Sequence, residues 1–157
     1  MNDITTVNLG YGLGKLRFGA TEEEVEAYLG PADEIDSSGD AEDEHITWHY
    51  KALQGYVSFD EVDDFCLGTI EVSLPAASIY GEVLLGKTRR EVKKILKGKV
   101  AGRTEESHHD LEAEGDARVC LLTYTKQSLN LWFEDDVLTS IQWGYLISED
   151  DEIIWPG

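Results

Sequence analysis

The chain is 157 residues long and carries 32 Asp and Glu against 13 Lys and Arg, a formal net charge of −19. With 41% hydrophobic and 10% aromatic residues it is too apolar for a disordered acidic tail, and it is long enough for a single domain over residues 1–157 with a sizeable core. The charge argues against nucleic acid and against an anionic membrane surface, which leaves a basic partner, a metal ion or water alone.

No apolar run approaches the ~20 residues of a membrane helix. The opening Met1-Asn2-Asp3-Ile4-Thr5-Thr6 has neither a basic n-region nor an apolar h-region, so a cytoplasmic location is expected. Gly10-Tyr11-Gly12-Leu13-Gly14 resembles a phosphate loop only in its glycines. It lacks the Lys-Ser/Thr that contacts phosphate and metal, so a flexible loop is the better reading.

Thr21-Glu22-Glu23-Glu24-Val25 opens a helix with a capping box, and Gly30-Pro31 closes it. Residues 32–44, rich in Asp, Glu, Ser and Gly, read as a long acidic surface loop. Three antiparallel strands then follow, with turns near residues 52–55 and 61–64. The same order recurs downstream. Gly19, Thr21, Glu24, Val25 and Leu29 reappear as Gly86, Thr88, Glu91, Val92 and Leu96, so Thr88 caps a second helix that Gly98 would end. A second acidic loop is expected over residues 102–116. Tyr50 and Phe59-Asp60 reappear as Tyr124 and Phe133-Glu134, with turns near residues 126–127 and 134–136. Leu67-Gly68-Thr69-Ile70-Glu71-Val72 reappears as Leu138-Thr139-Ser140-Ile141-Gln142-Trp143.

These matches predict an α+β fold of two tandem repeats, about 12–79 and 80–147, with a tail over 148–157. Each repeat would pack a short helix on an antiparallel meander, and the two would form one continuous sheet with the helices on one face. The pattern Gly-x-Thr-x-x-Glu-Val-x-x-x-Leu, then Tyr, Phe-Asp/Glu and a closing Ile-x-Val/Trp, resembles the helix-plus-sheet unit of β-lactamase inhibitor proteins and of SmpA/OmlA-type lipoproteins. The resemblance spans about residues 12–73 and 80–144. It implies an inhibitory protein–protein contact or, for the lipoprotein type, an assembly module.

Strand alternation assigns the two faces of the sheet. Trp48, Tyr50, Val57, Phe59, Ile70, Val72, Leu122, Tyr124, Leu131, Phe133, Ile141 and Trp143 should face the core. Thr47, His49, Tyr56, Ser58, Thr69, Glu71, Thr123, Thr125, Asn130, Trp132, Ser140 and Gln142 should face the other way. Tyr56 and Trp132 on a background of hydroxyls and amides suit interface anchors; alternatively, residues 152–155 fold across and cover them.

Residues 87–103 hold eight of the 13 bases against the single acid Glu91. This suits charge balance between neighbouring solvated surfaces, or a dipolar chain that exists as a monomer or weak homodimer. Acids gather in the turn Asp60-Glu61-Val62-Asp63-Asp64, without the Gly and terminal Glu of an EF-hand loop, and His108-His109 lacks ligand spacing. Cys66 and Cys120 have no CxxC partner and read as buried free thiols; either could pair with His49 as a nucleophile only if folding juxtaposed them.

No catalytic residues, metal ligands or cofactor are therefore assigned. The chain reads as a non-catalytic protein-binding inhibitor, an immunity protein neutralising a basic toxin or nuclease. The candidate contact residues are His49, Tyr56, Asp60, Glu61, Asp63, Asp64, Glu71, Asn130, Trp132 and Gln142. A scaffold or assembly module is the alternative.

Overall fold

The computed structural model describes residues 3–40, 43–97, 99, 104–110 and 118–156. In chain order the elements are β1 (Thr6–Asn8), β2 (Gly12–Leu13), β3 (Leu16–Arg17), α1 (Glu22–Leu29), β4 (Glu34–Asp40), β5 (Asp43–Tyr50), β6 (Gly55–Asp60), β7 (Cys66–Val72), β8 (Ser78–Ile79), β9 (Glu82–Val83), α2 (Arg89–Leu96), β10 (Thr104–Asp110), β11 (Arg118–Tyr124), β12 (Leu129–Glu134), β13 (Val137–Gly144), β14 (Leu146–Ile147) and β15 (Ile153–Ile154). Single 3-10 turns occupy Glu61–Asp63 and Thr125–Gln127.

The expected architecture, tandem helix-plus-meander repeats forming one continuous sheet with helices on one face, is overturned. The described residues are mainly strand and form three sheets, with two eight-residue helices, α1 against β7 and α2 against β13. The large sheet has eight strands in the order β10-β11-β12-β13-β7-β6-β5-β4; a five-stranded sheet runs β3-β2-β1-β8-β9, and β14 pairs with β15. Two features explain the difference. Part of each acidic "loop" is a strand: β4 matches β5 over seven register pairs from Glu34↔His49 to Asp40↔Asp43, and β10 matches β11 from Thr104↔Tyr124 to Asp110↔Arg118. A strand whose side chains stay in solvent needs no apolar alternation, and β4 is exposed from Glu34 to Gly39 with Ile35 its one apolar residue. Residues 111–117 and Gly98 lie outside the described residues. Second, the glycine-rich stretch at residues 10–14 folds into the hairpin ladders β1–β2 and β2–β3, and β1 pairs in parallel with β8.

Both capping boxes form. The Thr21 hydroxyl accepts from the Glu24 N–H and the Glu24 carboxylate from the Thr21 N–H, each at 3.2 Å. Thr88 and Glu91 repeat this at 3.2 and 3.3 Å. Gly30 closes α1 at φ 86°, where a side chain would be strained, and its N–H reaches the Glu26 carbonyl. No helix among the described residues is long and apolar enough to cross a membrane.

The residues assigned inward by alternation are all buried, in one cluster with Val25, Val92 and Leu96 of the helices and with Val7, Leu13 and Ile79 of the small sheet. Trp143 is a direct tie between the two larger sheets: its buried indole N–H donates to the Gly12 carbonyl at 2.9 Å. Trp143→Phe removes that donor and leaves part of the buried indole's space unfilled. The expected loss is about 2–4 kcal/mol, read as a lower urea midpoint at unchanged slope.

Candidate functional site

One row of side chains crosses seven strands of the large sheet, from β4 to β11. Its register runs Glu34↔His49↔Tyr56↔Glu71↔Gln142↔Asn130↔Thr123, each residue directly opposite the next. Five expected contact residues (His49, Tyr56, Glu71, Gln142 and Asn130) thus fall side by side on the face opposite the core. Hydrogen bonds link the row internally. The Thr123 hydroxyl donates to the Asn130 carbonyl oxygen at 2.9 Å, the Asn130 amide to Gln142 at 3.0 Å, and the Gln142 amide to the Tyr56 hydroxyl at 2.7 Å. The His49 and Tyr56 rings lie 6.1 Å apart. Trp132 stands two residues along β12 from Asn130, half-buried on the same face.

β-bulges set the phase of this face. Between Ser58↔Thr69 and Phe59↔Leu67 the residue Gly68 is extra, and between Trp132↔Ser140 and Phe133↔Leu138 the residue Thr139 is extra. Each bulge lets residues three apart, Leu67 with Ile70 and Leu138 with Ile141, point inward together.

Towards the β4 edge the row borders an open depression of about 480 Å³, lined by Asp36, His45, Thr47, His49, Tyr56, Ser58, Asp60, Thr69 and Gln142. Two His–carboxylate pairs flank it: His49 Nε2 lies 2.8 Å from Asp36 Oδ2, and His45 Nδ1 is bonded to Asp60 Oδ1. Asp36 and His45 were not among the expected contact residues, Asp36 because it fell in a segment read as loop. Alternation within β5 was enough to put His45 on the same face as His49.

The acidic turn is held from within. Besides the Asp60 pair, the Glu61 carboxylate accepts from the Glu44 N–H at 3.1 Å and Asp63 from the Tyr145 hydroxyl at 3.0 Å; Asp64 closes the turn in the left-handed region at φ 54°. Asp60 reaches the depression, whereas Asp63 and Asp64 line a separate cleft of about 710 Å³ with residues 15–20, Glu24, Tyr28, Val62 and Cys66. The C-terminal segment runs into that cleft. Trp155 meets Tyr145 edge-on at 5.1 Å and packs over Gly19, so its described contacts lie away from Tyr56 and Trp132.

Burial pushes the Cys66 thiol up, reinforced by Asp64, Asp63 and Glu24, so it stays protonated and a poor nucleophile. Burial likewise raises the Tyr145 phenol to about 12, helped by Asp63. Cys120 is buried, with the Arg89 guanidinium 3.5 Å from its sulfur. Among the described residues, no group of three or more His, Cys, Asp or Glu is placed to hold a metal ion.

In the middle of the row, burial raises the Glu71 carboxyl above its ordinary 4.5, and burial followed by the charge of Glu71 raises the Tyr56 phenol. A carboxyl raised in the folded state contributes stability that is complete below the unfolded value and is lost as pH rises through the folded one. Glu71→Gln, which cannot ionise, should therefore melt higher than the parent at about pH 7, with the gain shrinking towards about pH 4. Thermal denaturation across that range measures it; a gain that does not change with pH removes Glu71 ionisation as the cause.

No family model matches the chain, and no curated protein matches it in sequence. Solved structures show likenesses of low identity. An extracellular protein containing an SCP domain from Bacillus anthracis matches over 89% of this chain at 17% identity and a TM-score of 0.44, and the chain spans about half (49%) of that protein's length. A DUF4309 family protein from Bacillus subtilis matches over 87% of this chain and 88% of its own at 16% identity and a TM-score of 0.46. A candidate β-lactamase inhibitor protein from Streptococcus mutans matches over 90% of each chain at 12% identity and a TM-score of 0.29.

Proposed function

We propose that this chain is a non-catalytic binding protein that uses the polar face of its eight-stranded sheet to neutralise a basic protein, as a cytoplasmic immunity protein neutralises a toxin or nuclease. The observation that carries the reading is the hydrogen-bonded row Thr123–Asn130–Gln142–Tyr56. Its side chains are already restrained, so a partner meeting them loses less rotamer entropy than it would on a loose polar surface. Tyr56 at the row's centre and Trp132 beside Asn130 supply the aromatic area that anchors interfaces. The net charge of −19 supports fast, salt-sensitive capture of a cationic partner.

The test begins with capture of the partner from the native host and continues with purified components. The partner's own activity should be abolished at a 1:1 ratio, and the association rate should fall steeply with salt. Tyr56→Ala and Trp132→Ala should each raise the dissociation rate by about tenfold or more, the effect of losing ~1.4 kcal/mol from an anchor. A partner bound without loss of its activity would make the chain a scaffold instead. Unchanged dissociation in both variants would sink the sheet face as the interface.

A further inference from the structure

The large sheet ends in a long strand with one neighbour. β4 pairs with β5 over seven consecutive registers without a bulge, and the structure describes no ladder on its other side. Its described side chains, from Glu34 to Gly39, are all exposed. Natural edges are usually blunted by proline, lysine, a bulge or a cover. β4 has no proline and no lysine, and its charged residues are all acids.

Those acids select the occupant. β4 (Glu-Ile-Asp-Ser-Ser-Gly-Asp) and the opposite edge β10 (Thr-Glu-Glu-Ser-His-His-Asp) each carry three acids and no Lys or Arg. A second copy would bring like charges together in any edge-to-edge pairing, which disfavours it. A cationic strand meets the opposite situation. Glu34 and Asp36 lie on the polar side, opposite His49 and Thr47, whereas Ile35 lies opposite Trp48 on the core side and is 60% exposed. An incoming strand would therefore place basic side chains against Glu34 and Asp36 and an apolar one against Ile35.

We propose that the outer edge of β4 accepts an extended segment of the partner, with alternating basic and apolar residues, as a ninth strand of the sheet. This rests on the reading of a basic protein partner, and adds main-chain hydrogen bonding to the sheet-face contact. Strand addition next to the depression would let one partner occupy the edge and the polar face together, since Asp36 belongs to both.

The probe is a seven-residue peptide of alternating Lys and Val, blocked at both ends, compared with an isomer of the same composition whose valines are contiguous. Both are titrated into the full chain with amide hydrogen exchange as the readout. The alternating peptide should bind about tenfold tighter than its isomer and slow exchange selectively within residues 34–40, because main-chain pairing depends on sequence pattern as well as charge. Ile35→Lys should weaken it about tenfold with an unchanged melting temperature, since that side chain is mostly in solvent, while Trp132→Ala should not weaken it. Equal affinity of the two peptides, or no protection of residues 34–40, overturns the proposal and leaves only non-specific charge attraction. If that happens while Trp132→Ala still releases the native partner, only the edge is wrong. If the edge result stands while Tyr56→Ala and Trp132→Ala leave the partner bound, the sheet face is wrong.

Discussion

The antiparallel contact of β7 with β13 is the constraint from which the polar face follows. It is short, with Val72, Glu71, Ile70 and Thr69 opposite Ile141, Gln142, Trp143 and Gly144. At its end the backbones come so close that a Cβ on Gly144 would lie 2.8 Å from the Gly68 carbonyl oxygen. That approach admits glycine and would push apart anything larger. Because side chains alternate except at the bulges of Gly68 and Thr139, fixing Glu71 opposite Gln142 also fixes which residues of the two flanking strand sets share a face. A slip of one residue at this seam would turn either Trp143 or Ile70 out towards solvent, according to which strand moved.

The same register concentrates unlike demands in a small area. Glu71 is held where ionisation is disfavoured, Tyr56 spends its hydroxyl on Gln142, and the histidines are occupied by Asp36 and Asp60. Polar groups tied to one another in this way hold a defined shape, and shape is what a flat sheet face otherwise lacks. The acids of the Asp60–Asp64 turn do comparable internal work, bracing β5 through Glu44 and the C-terminal region through Tyr145. Long-range attraction of a cation survives that bracing, since a carboxylate bonded to a neutral donor keeps its charge.

Much of this was legible in the sequence, for identifiable reasons. Thr-x-x-Glu ahead of apolar residues announced both helices because the reciprocal bonds are local, and period-two alternation sorted the six central strands correctly. β4 and β10 were not legible, because an edge strand lacks the apolar alternation that marks a half-buried one; their pairing is dictated by β5 and β11. The small sheet was missed because strands of two or three residues leave almost no periodic trace, and β1 joins β8 only through the tertiary fold. Bulges at Gly68 and Thr139 are silent too: in Leu-Gly-Thr-Ile and Leu-Thr-Ser-Ile the apolar spacing of three is neither helical nor regular strand until an extra residue is allowed. Those omissions removed Asp36 from the expected contact set and left the true edge of the sheet unseen.

The β7–β13 seam also has a consequence for how the chain reaches its fold. The ladders on either side are built from neighbours in sequence and can close as hairpins on a microsecond scale. The seam joins Val72 to Ile141, and β1 to β8 spans a similar stretch, so both must wait for distant segments to meet. Loop closure of that kind dominates the barrier when local contacts are plentiful. Two preformed strand sets, each presenting an unpaired edge at β7 or β13, would then search for one another. While they search, the strand most open to a wrong partner is one that the finished protein hides at its centre.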